Sequence, residues 1–238
     1  MSLKSQIPNS LTLSNLILGV VAICFASMNR TDLAAWCILG AAGFDFLDGL
    51  VARALGVTGE LGKQLDSLAD MVSFGVAPVF IALQFNGVFN STLDFSWNAI
   101  VLFTPVIMAA LSAYRLGKFN IDTRQVSGFL GMPTPANALF WISIALAGQG
   151  GIFELAILDS ALISFRESSV LIAVMSVILG VLMVSEIPLI ALKFGAETDK
   201  KNVKIGLVFL SMGLFILLSF SAIPIILLLY LILSFVSK

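Results

Sequence analysis

The sequence predicts an all-α fold, a polytopic bundle of about eight transmembrane helices, with seven, or six plus a re-entrant pair, as the alternatives. Three observations lead there. Of 238 residues, 59% are hydrophobic. Charged residues make up 11%, less than half the roughly 25% of a soluble domain. Eight stretches approach the ~20 apolar residues that a helix needs to cross a bilayer. A mean hydropathy of +1.05 marks more apolar surface than a water-soluble globule of this size can hide. A soluble domain, a disordered tail and a nucleic-acid binder are thereby excluded. At a net charge of −1, no global field would steer a polyanion.

The stretches lie at about 11–28, 33–52, 67–85, 97–116, 134–150, 170–192, 203–218 and 221–237. The first opens on Ile7-Pro8-Asn9-Ser10, where Asn9 or Ser10 suits an N-cap. A single Lys4 precedes it and no small-residue cleavage site follows, so no cleaved signal peptide is expected. The second carries Asp45 and Asp48 toward its end, and the third begins with Asp66 and Asp70. The last two are separated only by Ser219–Ala222, with Pro224 just beyond, which suits a tight hairpin. Trp36, Trp97 and Trp141 fall near or within span ends, as interfacial anchors do. Cys24 and Cys37 sit in apolar stretches without CxxC spacing and read as buried structural thiols. No internal repeat stands out.

Loop charge sets the orientation. Alternating spans put Lys4, Arg53, Lys63, Arg115, Lys118, Arg124, Lys193, Lys200, Lys201, Lys204 and Lys238 on one side. Of the 13 basic residues, only Arg30 and Arg166 fall on the other. By the positive-inside rule the basic side is cytoplasmic. The expectation is a multi-pass protein of the cell inner membrane with both termini in the cytoplasm.

The chain has no histidine, which removes His bases, Ser-His-Asp triads and His metal sites together. Proton transfer falls to carboxylates, Lys, Tyr or Cys. Asp45 and Asp48 share a helix face at i,i+3, and Asp66 and Asp70 share one at i,i+4. The segment 54–65 joins their helices on the cytoplasmic side and brings the two faces together. An Asp at a span centre costs about 2.5–3.5 kcal/mol on insertion scales, less near an end. Four close together need cationic compensation. Arg53 and Lys63 supply two charges, and a divalent metal is the natural remaining partner. An all-oxygen site suits Mg2+, Mn2+ or Ca2+ rather than zinc or copper. Gly49 and Gly62, interleaved with the acids, let a bulky ligand approach the backbone.

Asp45-Phe-Leu-Asp48-Gly49-Leu-Val-Ala52-Arg53, then eight residues, then Gly62-Lys-Gln-Leu-Asp66-Ser-Leu-Ala-Asp70 matches D-x2-D-G-x2-A-R-x8-G-x3-D-x3-D at every fixed position. It resembles the CDP-alcohol phosphatidyltransferase family. The resemblance implies a six-helix membrane core, over 1–192, followed by a C-terminal two-helix extension over 193–238. It also implies a reaction: an alcohol hydroxyl attacks phosphorus of a CDP-linked substrate bound at two divalent ions, and CMP leaves. Carried over, Asp45, Asp48 and Asp66 are metal ligands, and Asp70 is the base and a further metal contact. Gly49, Ala52 and Arg53 line the CDP pocket, with Gly62 and Lys63 nearby. Pro8-Asn9-x-Leu11-Thr12 is similar to the family's "PN-x-LT" start, so Asn9 and Thr12 reach the nucleotide. The implied cofactors are Mg2+ or Mn2+. A homodimer is implied by the family alone.

Two further segments, Asp66–Pro78 and Gly131–Ala138, are similar to those of bacterial phosphatidylserine synthases. The implied substrates are CDP-diacylglycerol and L-serine, within membrane lipid. Where that subfamily tends toward "RLARFN", this chain has Arg115-Leu116-Gly117-Lys118-Phe119-Asn120, which weakens any guanidinium role at 118. Arg115 and Lys118 suit the acceptor carboxylate, with Ser73, Thr134 and Asn137 as polar contacts. The alternatives are transfer to glycerol 3-phosphate or an inositol phosphate and, outside the family, a cation-coupled transporter.

Overall fold

The computed structural model describes residues 3–57, 59–89, 97–121, 129–149, 156–189 and 201–236. Arg124, Lys193, Lys200 and Lys238 lie outside them. Helices α1 (Leu3–Ser27) and α2 (Thr31–Leu55) form an antiparallel hairpin. Its turn is tight: the Arg30 N–H bonds Phe25 O at 2.9 Å. Because α1 begins at Leu3, Asn9 and Ser10 lie inside the helix rather than at its cap, which corrects the sequence reading. Pro8 is near enough to the start that losing its N–H costs a single backbone bond.

The third span is a 26-residue run, Glu60–Phe85. It consists of α3 (Glu60–Asp70), a π-helical turn (Met71–Val76) and α4 (Ala77–Phe85). Pro78, in the first turn of α4, explains the π turn. Its ring has no N–H for the carbonyl four residues back and crowds it, and widening the turn relieves both problems. The next span is broken at Thr104-Pro105 into α5 (Trp97–Phe103) and α6 (Val106–Ile121).

A two-stranded antiparallel pair, absent from the sequence reading, joins β1 (Phe129–Leu130) to β2 (Pro188–Leu189). It ties the segment before α7 (Thr134–Ala145) to the end of α9 (Ser169–Val184). Gly131 makes this docking possible. Its φ is +73°, and a Cβ there would lie 2.6 Å from both Met183 O and Ser185 O. α8 (Ala156–Arg166) meets α9 at 92°. α10 (Lys201–Leu218) and α11 (Ile223–Val236) are joined by a 3-10 turn at Ser219–Ala222.

Each of the eight apolar stretches contains a helix among the described residues, and length separates them. Among the described residues five runs are long and apolar enough to cross a bilayer, or six if α8 and α9 form one broken span. α7, at 12 residues, spans about 18 Å against a ~30 Å hydrocarbon core. The two C-terminal stretches belong to one 31-residue run, Ile205–Phe235, but Ser219 interrupts it at φ +51°. The 3-10 turn there packs on α7 and α8, and α11 runs back along α7 to β2, as the expected hairpin does. Large apolar side chains such as Ile17, Phe46, Leu68 and Phe209 are exposed, as suits a lipid solvent.

Small residues let the helices close up. Ala22, Ala26, Ala34, Ala35 and Ala41 are fully buried with Ile38, Phe74 and Ile81 between α1, α2 and the third span. Such small contacts are how membrane helices gain dispersion energy without a hydrophobic drive. A second core gathers Met108, Trp141, Ile144, Ile172 and Met183. Trp141 is therefore not an interfacial anchor; it is fully buried against Phe140 and Phe165. Trp36 is half exposed and meets Phe220 edge-on, and the side chain of Trp97 lies outside what is described. Both cysteines are free, but neither is fully buried: Cys24 is exposed and Cys37 half-buried.

The two ends separate as alternation requires. Lys63 Nζ donates to Asn120 O at 2.9 Å, and Lys118 pairs with Glu186 at 2.7 Å. At the opposite end Gln84 Nε2 donates to Asn29 Oδ1 at 2.7 Å, and Arg166 lies over the Phe85 ring.

Candidate active site

The site is built at the Lys63 end, where α1, α2 and α3 meet. The i,i+3 acids of α2 and the i,i+4 acids of α3 face each other. Asp45, Asp48 and Asp66 each bring a carboxylate oxygen within 4.8 Å of the other two. Asp48 is the most enclosed, at 5% exposure. Its Oδ2 accepts the Thr12 hydroxyl from α1. Asp70 lies one turn further in, beside Asp45, and its Oδ1 accepts from Asn15 Nδ2 at 3.2 Å. The donor set is entirely oxygen and close enough to share one cation, which fits a hard divalent ion such as Mg2+ or Mn2+.

Next to the acids opens a cleft of about 230 Å³. Asn9, Thr12, Asp48, Gly49, Ala52, Gly62, Lys63 and Asp66 all line it, together with Pro8, Val57 and Gly59. The expected CDP pocket is thus brought together, apart from Arg53, whose guanidinium lies over Gly49. A Cβ at Gly49 would sit 3.3 Å from Arg53 Nη1. Gly62 faces α1 across the cleft, 3.6 Å from Asn9 Oδ1 when a Cβ is placed there. Lys63 reaches the cleft with its stem, while its ammonium bonds the end of α6.

The five expected acceptor residues divide. Arg115, 9% exposed, lies close to Asp70 and donates from Nη1 to Thr134 Oγ1 at 2.9 Å. Its Nε has no hydrogen-bond partner, and neither amide atom of the fully buried Asn137 has one. Thr134 and Asn137 share a face in the first turn of α7. Lys118 is engaged by Glu186, and the Ser73 hydroxyl donates to Asn15 O at 3.0 Å.

Sequence reasoning missed Asn15. The signal was there: it follows Thr12 by three and shares the face that meets α2 and α3. It also missed Asn120, whose Nδ2 donates to Ser67 Oγ at 2.8 Å and helps hold α6 against α3.

A family model described as CDP-alcohol phosphatidyltransferase matches residues 5–182. Three relatives are each named CDP-diacylglycerol–serine O-phosphatidyltransferase. The Helicobacter pylori (strain ATCC 700392 / 26695) protein is 33% identical over 182 residues, 76% of this chain and 70% of that one. The Methanocaldococcus jannaschii protein is 33% identical over 181 residues, 76% of this chain and 72% of its own. The Bacillus subtilis (strain 168) protein is 31% identical over 183 residues, 77% of this chain and 89% of its own. The matched span runs from the first turn of α1 to the last turn of α9 and holds every residue of the carboxylate cluster and the cleft, so by motif, geometry and likeness the chain belongs to the CDP-alcohol phosphatidyltransferase family.

Proposed function

We propose that this chain transfers the phosphatidyl group of CDP-diacylglycerol to the hydroxyl of L-serine, giving phosphatidylserine and CMP. The observation that carries the reading is the meeting of three carboxylates at the head of an open cleft. The relatives' printed names supply the acceptor.

Asp45, Asp48 and Asp66, with Asp70 beside them, would hold two divalent ions, Mg2+ or Mn2+. Bound there, the ions would neutralise the diphosphate and stabilise charge on the departing phosphate. Thr12 orients Asp48 toward that task. Asn9, Gly49, Ala52 and Gly62 shape the cytidine diphosphate pocket, and Arg53 offers the diphosphate its planar fork of donors, with Lys63 nearby. Asp70 takes the proton from the serine hydroxyl as its oxygen attacks the phosphorus that carries diacylglycerol. The bond from that phosphorus to the CMP oxygen breaks, and the electron pair leaves with CMP. Arg115, Thr134 and Asn137 receive the serine, because Ser73 and Lys118 already spend their polar atoms on Asn15 and Glu186. The unpartnered Arg115 Nε and Asn137 amide support that placement: buried polar groups are costly to leave unpaired.

The site opens toward the basic end, which we assign to the cytoplasm, where soluble nucleotide is found. Both termini go with it, in the inner membrane. We read 1–192 as the catalytic core and 193–238 as an extension. The test is a competition assay on detergent-purified protein, with CDP-diacylglycerol and equal serine, glycerol 3-phosphate and inositol 1-phosphate. CMP is released only with an acceptor present, and phosphatidylserine dominates. Transfer mainly to glycerol 3-phosphate or inositol 1-phosphate would refute the acceptor, and no CMP release with any acceptor would refute the transferase reading.

A further inference from the structure

On the reading of Asp70 as the base, we propose that Asn15 is its positioning residue: the Asn15 amide fixes the carboxylate through Oδ1 and leaves Oδ2 for the acceptor hydroxyl. Asn15 is fully buried in the middle of an apolar span. Its Nδ2 donates to Asp70 Oδ1 at 3.2 Å, and its own Oδ1 has no hydrogen-bond partner. A half-satisfied buried amide costs about 1–3 kcal/mol. A leucine of similar size would fill the space without that cost, so packing does not account for asparagine here.

The fold aims this contact. The Asn15 carbonyl accepts the Ser73 hydroxyl at 3.0 Å. One turn further along α1, a Cβ on Gly19 would lie 2.5 Å from Ser73 Oγ and 2.9 Å from Ser73 Cα. Gly19 therefore lets the backbones of α1 and the π turn touch, and this contact sets the register that puts Asn15 over Asp70. The π turn begins at Met71, the residue after Asp70, and such turns are frequent at functional sites.

Asp70 needs an aiming device because its neighbours pull unequally. Asp45, Asp66 and Asp48 repel it, and Arg115 attracts it. An ion pair with Arg115 would hold the carboxylate but draw it from its work. Arg115 instead donates to Thr134. A neutral donor orients the carboxylate and leaves its second oxygen available.

The test is a double-mutant cycle on detergent-purified protein. Asn15→Leu is made alone and in the Asp70→Asn background, with Asn15→Ala replacing it throughout if the leucine variant does not fold. Asn15→Leu lowers kcat about 10- to 100-fold, the scale of an angstrom-level misplacement. The KM values for CDP-diacylglycerol and serine, and Mn2+ affinity by calorimetry, change by less than ~3-fold, because no binding group is removed. In the Asp70→Asn background the same substitution costs less than ~2-fold, since it acts through Asp70. An equal loss in both backgrounds overturns the proposal while the base assignment stands. So does a loss expressed in Mn2+ affinity or KM rather than kcat. Unchanged kcat in Asp70→Asn alone refutes the base and the positioning role together.

Discussion

Asp48→Asn separates the cluster's cost from its use. Asp45, Asp48 and Asp66 hold carboxylate oxygens within 4.8 Å of one another. At that separation two unit charges repel by about 3.5 kcal/mol with an effective dielectric constant of ~20. Asp48 belongs to two of the three pairs, so neutralising it removes about 7 kcal/mol of gross repulsion from a fully ionised cluster. Proton uptake and screening leave folding only a fraction of this, but the sign is fixed. Asparagine keeps an oxygen to accept the Thr12 hydroxyl, so that bond is not what the substitution tests. The metal-free variant therefore melts at or above metal-free wild type. Wild type gains about 2.7 kcal/mol from Mn2+ at about 100 times its Kd, or about 5–10 °C for a chain of this size. The variant loses most of that gain along with turnover. The assay is thermal unfolding of detergent-purified protein in chelator and in Mn2+. A variant that melts lower in chelator and keeps the full Mn2+ increment would show that the carboxylate serves packing, and the reasoning would fail.

Excess chelator abolishes turnover in a CMP-release assay, and Mg2+ or Mn2+ restores it; full activity in chelator would contradict the metal assignment. Asp70→Asn lowers kcat by ~10²–10⁴ if it removes a general base, while keeping most of the Mn2+ increment in melting temperature. Arg115→Ala raises the serine KM more than the CDP-diacylglycerol KM in steady-state assays, and equal rises would move the acceptor elsewhere. Gly131→Ala forces a side chain into a left-handed backbone against two carbonyl oxygens. It costs about 1–3 kcal/mol, lowers the melting temperature, and raises the serine KM by loosening the start of α7.

The acids were legible because hydrocarbon makes them so. A charge in a span needs a reason, and four at i,i+3 and i,i+4 spacing dictate which faces meet. Span positions were legible for the same solvent reason. What escaped depends on packing rather than composition. Nothing in the apolarity of 134–150 says that its helix stops at Ala145, short of a crossing, or that Trp141 turns into the core. The π turn was written in the distance from Asp70 to Pro78, but a proline can also kink or end a helix, and periodicity does not choose among these. The β1–β2 pair joins residues 58 and 60 apart through two backbone positions each, and two residues carry no period to read. The charge of Arg115 marks it in the sequence, whereas its bond to Thr134 follows from the docking of Gly131 against α9.

α1 explains how so charged a site can sit in a membrane protein and still work. Between Leu3 and Ser27 its only charged residue is Lys4. Yet Asn9, Thr12 and Asn15 fall at intervals of three on one face, with Gly19 four further on. Two of them hold a carboxylate each: Thr12 holds Asp48 and Asn15 holds Asp70. A Lys or Arg in either place would offset more repulsion. It would also occupy the oxygens that must receive a divalent ion or the proton of the attacking hydroxyl. A neutral donor to a charged group contributes about 1.5–3 kcal/mol, enough to fix an orientation without neutralising it, and it enters hydrocarbon far more cheaply than a cation. The division of labour follows from that difference: α2 and α3 carry the charge, and α1 supplies dipoles that aim it. The repulsion left among the acids is what a substrate-bearing divalent ion relieves on binding.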